Sequence, residues 1–267
     1  MIYTGTAFHI YCCTHQHLTY TQHPHLTIPL LLFSKSKNYE PNFSCQFEQR
    51  IGGNGNGDGP KWVCDPHRIA RLSAERKAKD PKSPGCVVYS IGSNGHFEFE
   101  MGMQDNLGVG TCEFHIFDPG NYTHRMPKEL KNTYYHQWGL VKQDDTVGRI
   151  PNPDDRWQGL KDIIKLLGHE KLETIDVFKI DCEKCEWKTF GDWFQAGIPN
   201  LQQIQVELHG APAAQVLNFF DSFEEAGYAR FHKEPNIQYN DGSCIEYAFL
   251  KLDKAFFPAK NTTVAAN

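Results

Sequence analysis

The sequence has no long hydrophobic run and no surplus of positive charge. The apolar run at residues 28–33 is too short to span a bilayer and lacks the basic flank of a secretion signal. The formal net charge is -5 at pH 7, which argues against broad electrostatic binding to nucleic acid. We therefore expect neither a transmembrane span nor a nucleic-acid partner for this chain.

Motifs of redox and metal proteins are also scarce. The Gly-x-Gly-x-x-Gly fingerprint is absent at Gly92 and no Tyr-Lys pair for hydride relay is evident, so a nicotinamide-dependent Rossmann oxidoreductase is the weaker enzyme alternative. One Cys-x-x-Cys pair, Cys182 and Cys185, offers a redox dithiol or half of a zinc site. Because thioredoxin-like surroundings and a second pair are missing, we interpret these two cysteines as packing residues.

The length suits one core with extensions. We predict a disordered or poorly defined segment at 1–40, an extension packed on the core at 41–85, the main domain at 86–253 and a tail at 254–267. Five histidines precede residue 40, but their spacing has no recurring ligand geometry, so a metal tract is not favoured. The glycine-rich stretch 52–59 has no evident strand before it, and we interpret it as a flexible surface turn.

Cysteines and glycosylation sequons bear on the compartment. The chain has nine cysteines and Asn-x-Ser/Thr sequons at Asn42, Asn121 and Asn261. Together they favour a secretory, extracellular or luminal membrane-associated setting slightly over the cytoplasm. The sequence leaves the compartment open.

Strands and helices alternate from Cys86 onward, which predicts a mainly parallel sheet covered by helices. An apolar strand at 86–89 runs into the turn Gly92-Ser93-Asn94-Gly95, and a second strand at 112–117 ends at Asp118. Glycines let a backbone approach a ligand closely, and an acid at the end of the second strand suits ribose hydroxyls. These two features predict a nucleotide-type ligand at the carboxyl ends of the strands.

Further charged groups follow the later strands. Asp181 ends the predicted strand 175–181, Glu183 and Glu186 come within a turn of it, and Glu207 and His209 close the next strand. We expect these groups to meet at one rim, where a lysine such as Lys179, a shared proton or a divalent metal would offset their repulsion. The metal ligands would be Asp181, Glu207 and His209.

Several motifs occur in the order of a known family: Gly92-Ser93-Asn94-Gly95, Phe117-Asp118-Pro119, Trp138-Gly139-Leu140, Lys179-Ile180-Asp181-Cys182-Glu183-x-Cys185-Glu186-Trp187, Glu207-Leu208-His209 and Glu246-Tyr247-Ala248-Phe249. Across residues 60–253 the chain resembles the FkbM-related methyltransferases, particularly their animal methyltransferase-like branch. The resemblance implies a Rossmann-like class I α/β fold, a seven-stranded, mainly parallel sheet with helices on both faces and an antiparallel last strand. It also implies S-adenosylmethionine as cofactor, contacted by Gly92, Ser93, Asn94, Gly95, Asp118 and Leu140.

The resemblance implies a methyltransferase-like domain at 86–253, and our hypothesis is that it methylates a hydroxyl on a sugar or other small polar acceptor. Asp181 or His209 would be the general base, Glu207 and Glu186 would orient acceptor or metal, and Lys179 would tune their charge. The family has glycine where this chain has Lys184, which supports an alternative: a catalytically inactive module that binds a glycan or a partner protein.

Overall fold

The computed structural model describes residues 39–53, 59–236 and 244–256. The segment predicted at 1–40 lies outside this range except for Tyr39 and Glu40, and so does the tail after Phe256. Tyr39 is buried and stacks on Phe220 with ring centroids 3.8 Å apart. No helix among the described residues is long and apolar enough to cross a bilayer.

Eleven strands and five α-helices make up the described fold. The strands are β1 Glu48–Ile51, β2 Lys61–Cys64, β3 Cys86–Ile91, β4 Cys112–Phe117, β5 Thr133–His136, β6 Gly139–Leu140, β7 Trp157–Gln158, β8 Thr174–Ile180, β9 Asn200–His209, β10 Tyr228–Pro235 and β11 Cys244–Lys251. The helices are α1 Pro66–Lys79, α2 Glu98–Leu107, α3 Leu160–Leu166, α4 Cys185–Thr189 and α5 Ala213–Glu225.

Seven strands form the central sheet in the order β10-β11-β9-β8-β3-β4-β5. The strands from β9 through β8, β3 and β4 to β5 are parallel, whereas β11 runs antiparallel to both β9 and β10. This is the mainly parallel sheet with an antiparallel last strand that the sequence predicted, and the fold class is confirmed. The predicted strand region 134–140 divides into the edge strand β5 and the short β6, which pairs with β7.

Local sequence explains where the helices begin and which face they bury. Asp65 caps α1 by accepting a hydrogen bond from the Arg68 amide at 3.0 Å, and Pro66 occupies the first turn. In α5 the apolar stripe Val216, Phe219, Phe220 and Phe223 is buried against one face of the sheet.

The two faces of the sheet hold separate apolar cores. Tyr89 and Phe178 belong to the cluster that α3 and α5 cover, while Val88 and Val177 belong to the cluster that α1 and α2 cover. Alternation along each strand sends neighbouring side chains to opposite faces. Helices therefore lie on both sides of the sheet.

A β-hairpin precedes the main domain and lies over the sheet. β1 and β2 pair antiparallel on either side of the glycine-rich stretch, so the interpretation that no strand precedes this stretch was wrong. The amide and the carbonyl of Cys64 in β2 bond to the Gln203 side chain in β9 at 2.8 and 2.6 Å. A Cys45–Cys64 disulfide ties the hairpin to the chain that leads into it.

Candidate active site

The carboxyl ends of three neighbouring parallel strands bring the predicted site together at one rim. Ile91 is paired with Ile180, and Ile180 with Val206. The next residues along these strands are Gly92, Asp181 and Glu207, so they lie side by side. The row continues into β11, where Glu246 pairs with Glu207. Side chains at matching register project from the same face of a sheet.

The glycine turn after β3 is tightly packed against the end of β8. Gly92 has φ +77°, and a Cβ on it would lie 1.7 Å from the Asp181 carbonyl oxygen. Only glycine fits at such a position. The ammonium of buried Lys179 donates to the Gly92 carbonyl at 2.7 Å. Lys179 therefore stabilises the turn through a hydrogen bond to its backbone.

Asp118 joins the end of β4 to the same turn. One carboxylate oxygen accepts from the Asn94 amide at 2.8 Å, and the other accepts from the Gly120 amide at 2.8 Å. Ser93 is buried, and its hydroxyl accepts from the Gly95 amide at 3.3 Å. The predicted cofactor residues of both strand ends thus form one hydrogen-bonded unit. Leu140 lies apart from this unit, buried in the core on the short strand β6.

Lys61 of the hairpin is the site residue that the sequence analysis missed. Its side chain is 1% exposed, and its ammonium contacts an Asp181 carboxylate oxygen at 3.4 Å and bonds to Glu246. Nothing marks this lysine in the sequence except its position in the alternating strand Lys61-Trp62-Val63-Cys64. The pairing spans more than a hundred residues and depends on the hairpin lying across β9 and β11.

The position of Lys61 also bears on whether the carboxylates of this rim can bind a divalent metal ion. Asp181, Glu207 and Glu246 offer oxygen atoms within 4.8 Å of one another, but the ammonium already supplies the positive charge between two of them. The residues therefore do not fit a divalent ion at this place. The predicted ligand His209 groups instead with Glu207 and Cys244.

Within this row of carboxyl groups, Asp181 and Glu207 share one proton. Burial would raise the pKa of Asp181, but the ammonium groups of Lys61 and Lys179 outweigh burial and hold that pKa below its ordinary value. Burial, together with repulsion from Asp181 and Glu246, raises the pKa of Glu207 to about 11. Asp181 is therefore ionised at neutral pH, while Glu207 is protonated and hydrogen-bonds to it.

His209 is a buried cation beside this row. Its Nδ1 lies 2.9 Å from a carboxylate oxygen of buried Glu186, which also accepts the His209 amide at 3.1 Å. Burial would lower the pKa of His209, but the hydrogen bond and charge of Glu186 raise it to about 9. The sequence placed His209 and Glu186 at this rim, and the structure pairs them with each other.

The turn between β8 and α4 carries a disulfide. Cys182 and Cys185 pack against the core, as interpreted from the sequence, and are in addition bonded to each other. Within the turn, Glu183 and Lys184 have φ +54° and +81°, a region that glycine adopts far more readily than other residues. The side chains of both residues are exposed beside the rim.

Comparisons with known proteins identify the family. A family model described as a methyltransferase domain matches residues 7–251. No curated protein matches the chain. Among solved structures, the chain is similar to the Burkholderia thailandensis 1,6-didemethyltoxoflavin-N1-methyltransferase, solved with 1,6-didemethyltoxoflavin and S-adenosylhomocysteine, at 8% identity and a TM-score of 0.37 over 71% of this chain and 80% of that one. Because the family model covers nearly the whole chain, this protein belongs to the methyltransferase domain family.

Proposed function

We propose that this protein is an S-adenosylmethionine-dependent O-methyltransferase that acts on a hydroxyl of a sugar or another small polar acceptor. One observation carries the proposal: the ionised carboxylate of Asp181 adjoins the glycine turn that would hold the cofactor. A rim with several carboxyl groups also suits a neutral, hydroxyl-bearing acceptor better than an anionic one. The narrower assignment to the FkbM-related branch stays a prediction.

The residues of the turn fit the cofactor. Gly92 and Gly95 both have positive φ, and a Cβ on either would collide with protein atoms, so the two glycines fix the shape of the turn. Asp118 is fixed by two amides and can accept further hydrogen bonds, as ribose hydroxyls require. S-adenosylmethionine, when bound, supplies an electrophilic methyl group on a positively charged sulfur.

In this proposal Asp181 is the general base. Its carboxylate accepts the proton of the acceptor hydroxyl as that oxygen forms its bond to the methyl carbon. Lys61 and protonated Glu207 fix the carboxylate in place, and Lys179 fixes the neighbouring Gly92 carbonyl. His209, being cationic at neutral pH, is less suited to the role of base that the sequence analysis also allowed it. It instead positions Glu186.

The decisive experiment replaces Asp181 with Asn, which keeps the shape but removes the base. Turnover would be measured as S-adenosylhomocysteine formation with a panel of sugars and polyols, and S-adenosylhomocysteine binding by calorimetry. We expect kcat to fall by roughly 10²- to 10⁴-fold with binding retained. Asp105→Asn, at an exposed acid on α2, is the matched control and should retain turnover. Unchanged turnover in Asp181→Asn would refute the assigned base.

The exposed side chain of Lys184, at a position where the FkbM-related enzymes that the sequence resembles usually have glycine, favours a second candidate, a non-catalytic module that uses the same cleft. That function predicts cofactor binding without turnover on any acceptor, in the wild type and in Lys184→Gly alike. Restored turnover in Lys184→Gly would instead identify the lysine as an obstacle to catalysis. The family match favours either candidate over a nicotinamide-dependent oxidoreductase.

We also propose a secretory compartment. Among the described cysteines, the pairs Cys45–Cys64, Cys86–Cys112 and Cys182–Cys185 are bonded, and Cys244 belongs to none of these disulfides. Disulfides persist in oxidising compartments and are rare in the cytosol. Alkylation of the denatured, unreduced protein should label Cys244 and spare the six bonded cysteines; labelling of those six would contradict this setting.

A further inference from the structure

A second cluster of chemically active side chains lies on the opposite face of the sheet from Lys61. Glu113 and His115 project from β4, and His169 approaches them from the 3₁₀ segment His169–Lys171 that follows α3. Both histidines are buried, whereas Glu113 is partly exposed at 27%. Neither the family nor the proposed methyl transfer assigns these residues a role.

The ligand atoms of the cluster converge. His115 Nε2 lies 2.8 Å and His169 Nε2 lies 3.8 Å from the same Glu113 oxygen. In a tetrahedral zinc site with metal–ligand bonds of about 2.0–2.1 Å, neighbouring ligand atoms lie about 3.3 Å apart. The two observed distances bracket this value, so small side-chain rotations would bring the atoms into a coordinating arrangement.

The remaining nitrogen of each imidazole already has a partner. His169 Nδ1 lies 2.8 Å from the Tyr89 hydroxyl, and His115 Nδ1 lies 3.0 Å from His136 Nε2. Both partners can accept an Nδ1–H, so on metal binding each histidine can give up the Nε2–H that it donates to Glu113 and present an Nε2 lone pair to the ion. Metal-bound histidines almost always donate their second N–H to such a partner, which fixes the tautomer and the ring orientation.

We propose that Glu113, His115 and His169 bind a divalent transition-metal ion of the zinc type, with solvent entering the fourth position beside the exposed edge of Glu113. Two imidazoles and one carboxylate suit zinc and its neighbours better than calcium or magnesium, which prefer all-oxygen sites. The ion would clamp the segment after α3 to β4. His115 lies three residues before Asp118, about 10 Å along the strand, so the clamp would brace the strand that carries the cofactor acid.

The test uses the full chain, freed of metal with a chelator and titrated with Zn²⁺ by calorimetry. Glu113→Gln keeps the shape and the hydrogen bonds to both histidines but is a much poorer ligand, and we expect it to bind one equivalent fewer than the wild type. His169→Asn should lose the same equivalent. Tyr89→Phe, which removes only a supporting partner, should weaken the site roughly 10- to 100-fold. His67→Asn, at an exposed histidine, is the control and should match the wild type.

Two further measurements separate this site from other ligands in the chain. Replacing the five histidines before residue 40 removes their contribution to the stoichiometry. The Co²⁺ spectrum distinguishes this site from the Glu207, His209 and Cys244 group, because only the latter contains a thiolate. Equal Zn²⁺ stoichiometry in wild type and Glu113→Gln, or a thiolate–cobalt band with loss of binding in His209→Gln, would overturn the proposal and leave a purely hydrogen-bonded cluster.

Discussion

The ammonium nitrogen of Lys61 lies 3.4 Å from the carboxylate of Asp181, which joins the first hairpin to the end of β8 in the main sheet. Lys61 is buried, whereas the side chains of Asp181 and of its second partner Glu246 are 18% and 12% exposed. Burying an ammonium and two carboxylates is costly, and the arrangement persists because each charge has an opposite partner. The hairpin is therefore part of the site, since it delivers the cation that keeps Asp181 ionised.

Replacing Lys61 with Met should destabilise the protein by about 3–5 kcal/mol at pH 7, because it leaves buried carboxylates without their counter-charge. The pKa of Asp181 lies below its ordinary value in the folded protein, so its stabilising contribution is present above the ordinary pKa and is lost as pH falls through the lower, folded value. The deficit of Lys61→Met should therefore shrink only as pH falls below the ordinary pKa of 3.8. Urea unfolding of the wild type and the variant at several pH values measures this stability deficit.

The control for that experiment is Arg71→Met, which removes an exposed ion pair with Glu75 on α1. Exposed pairs of this kind contribute little to stability. The free energy of unfolding of this variant should stay close to the wild-type value at every pH. A Lys61→Met deficit no larger than that of Arg71→Met would mean that the buried carboxylates are neutral without the lysine.

The residues at the rim of the sheet could be predicted from the sequence, but Lys61, which lies over that rim, could not. Gly92, Asp118 and Asp181 were predictable because each follows an apolar strand, and parallel strands end at one edge. The role of Lys61 was not predictable, because its partners lie 120 and 185 residues away in the sequence. A single lysine in a short strand also looks like an ordinary surface lysine. The disulfide between Cys182 and Cys185 depends on a left-handed turn, which Glu183 and Lys184 do not signal.

Asp118 provides the test of cofactor binding. Asp118→Ala removes the acid expected to bind the ribose, and each hydrogen bond to a charged group is worth about 1.5–3 kcal/mol. We expect S-adenosylhomocysteine to bind at least roughly 10- to 100-fold more weakly, as measured by calorimetry. Asp105→Ala, at an exposed acid on α2, should bind as the wild type does. Undiminished binding in Asp118→Ala would place the ribose elsewhere.

Lys184 and Lys188 offer a matched pair of glycine substitutions. Lys184 has φ +81°, and a left-handed conformation costs a non-glycine residue about 1–2 kcal/mol. Lys184→Gly should therefore leave the protein as stable as the wild type or stabilise it by up to about 1 kcal/mol. Lys188 is exposed in α4, where glycine should cost about 1 kcal/mol. Thermal unfolding compares the stability of the two glycine variants. Destabilisation of equal size in both would show that the turn between β8 and α4 does not favour glycine.

Glu207→Gln tests the proton that Glu207 holds. In the wild type the pKa of Glu207 is raised to about 11, against an ordinary value of about 4.3. The folded state binds one more proton than the unfolded state between these values, so wild-type stability falls as pH rises, by up to about 1.4 kcal/mol per pH unit. A glutamine mimics the protonated acid: its oxygen can accept the Asn236 amide, 3.0 Å from Glu207, and its nitrogen can donate to Asp181.

Stability of the Glu207→Gln variant should therefore increase relative to the wild type as pH rises from 6 to 9, the range in which the two proteins are compared by urea unfolding. Other titrating groups are common to both proteins and cancel in the difference. Glu170→Gln, at an exposed acid, is the control, and its stability should parallel the wild type across this range. A Glu207→Gln curve that is also parallel would mean that Glu207 carries no extra proton in the folded state, and that Asp181 lacks the hydrogen-bond donor on which its assignment as base depends.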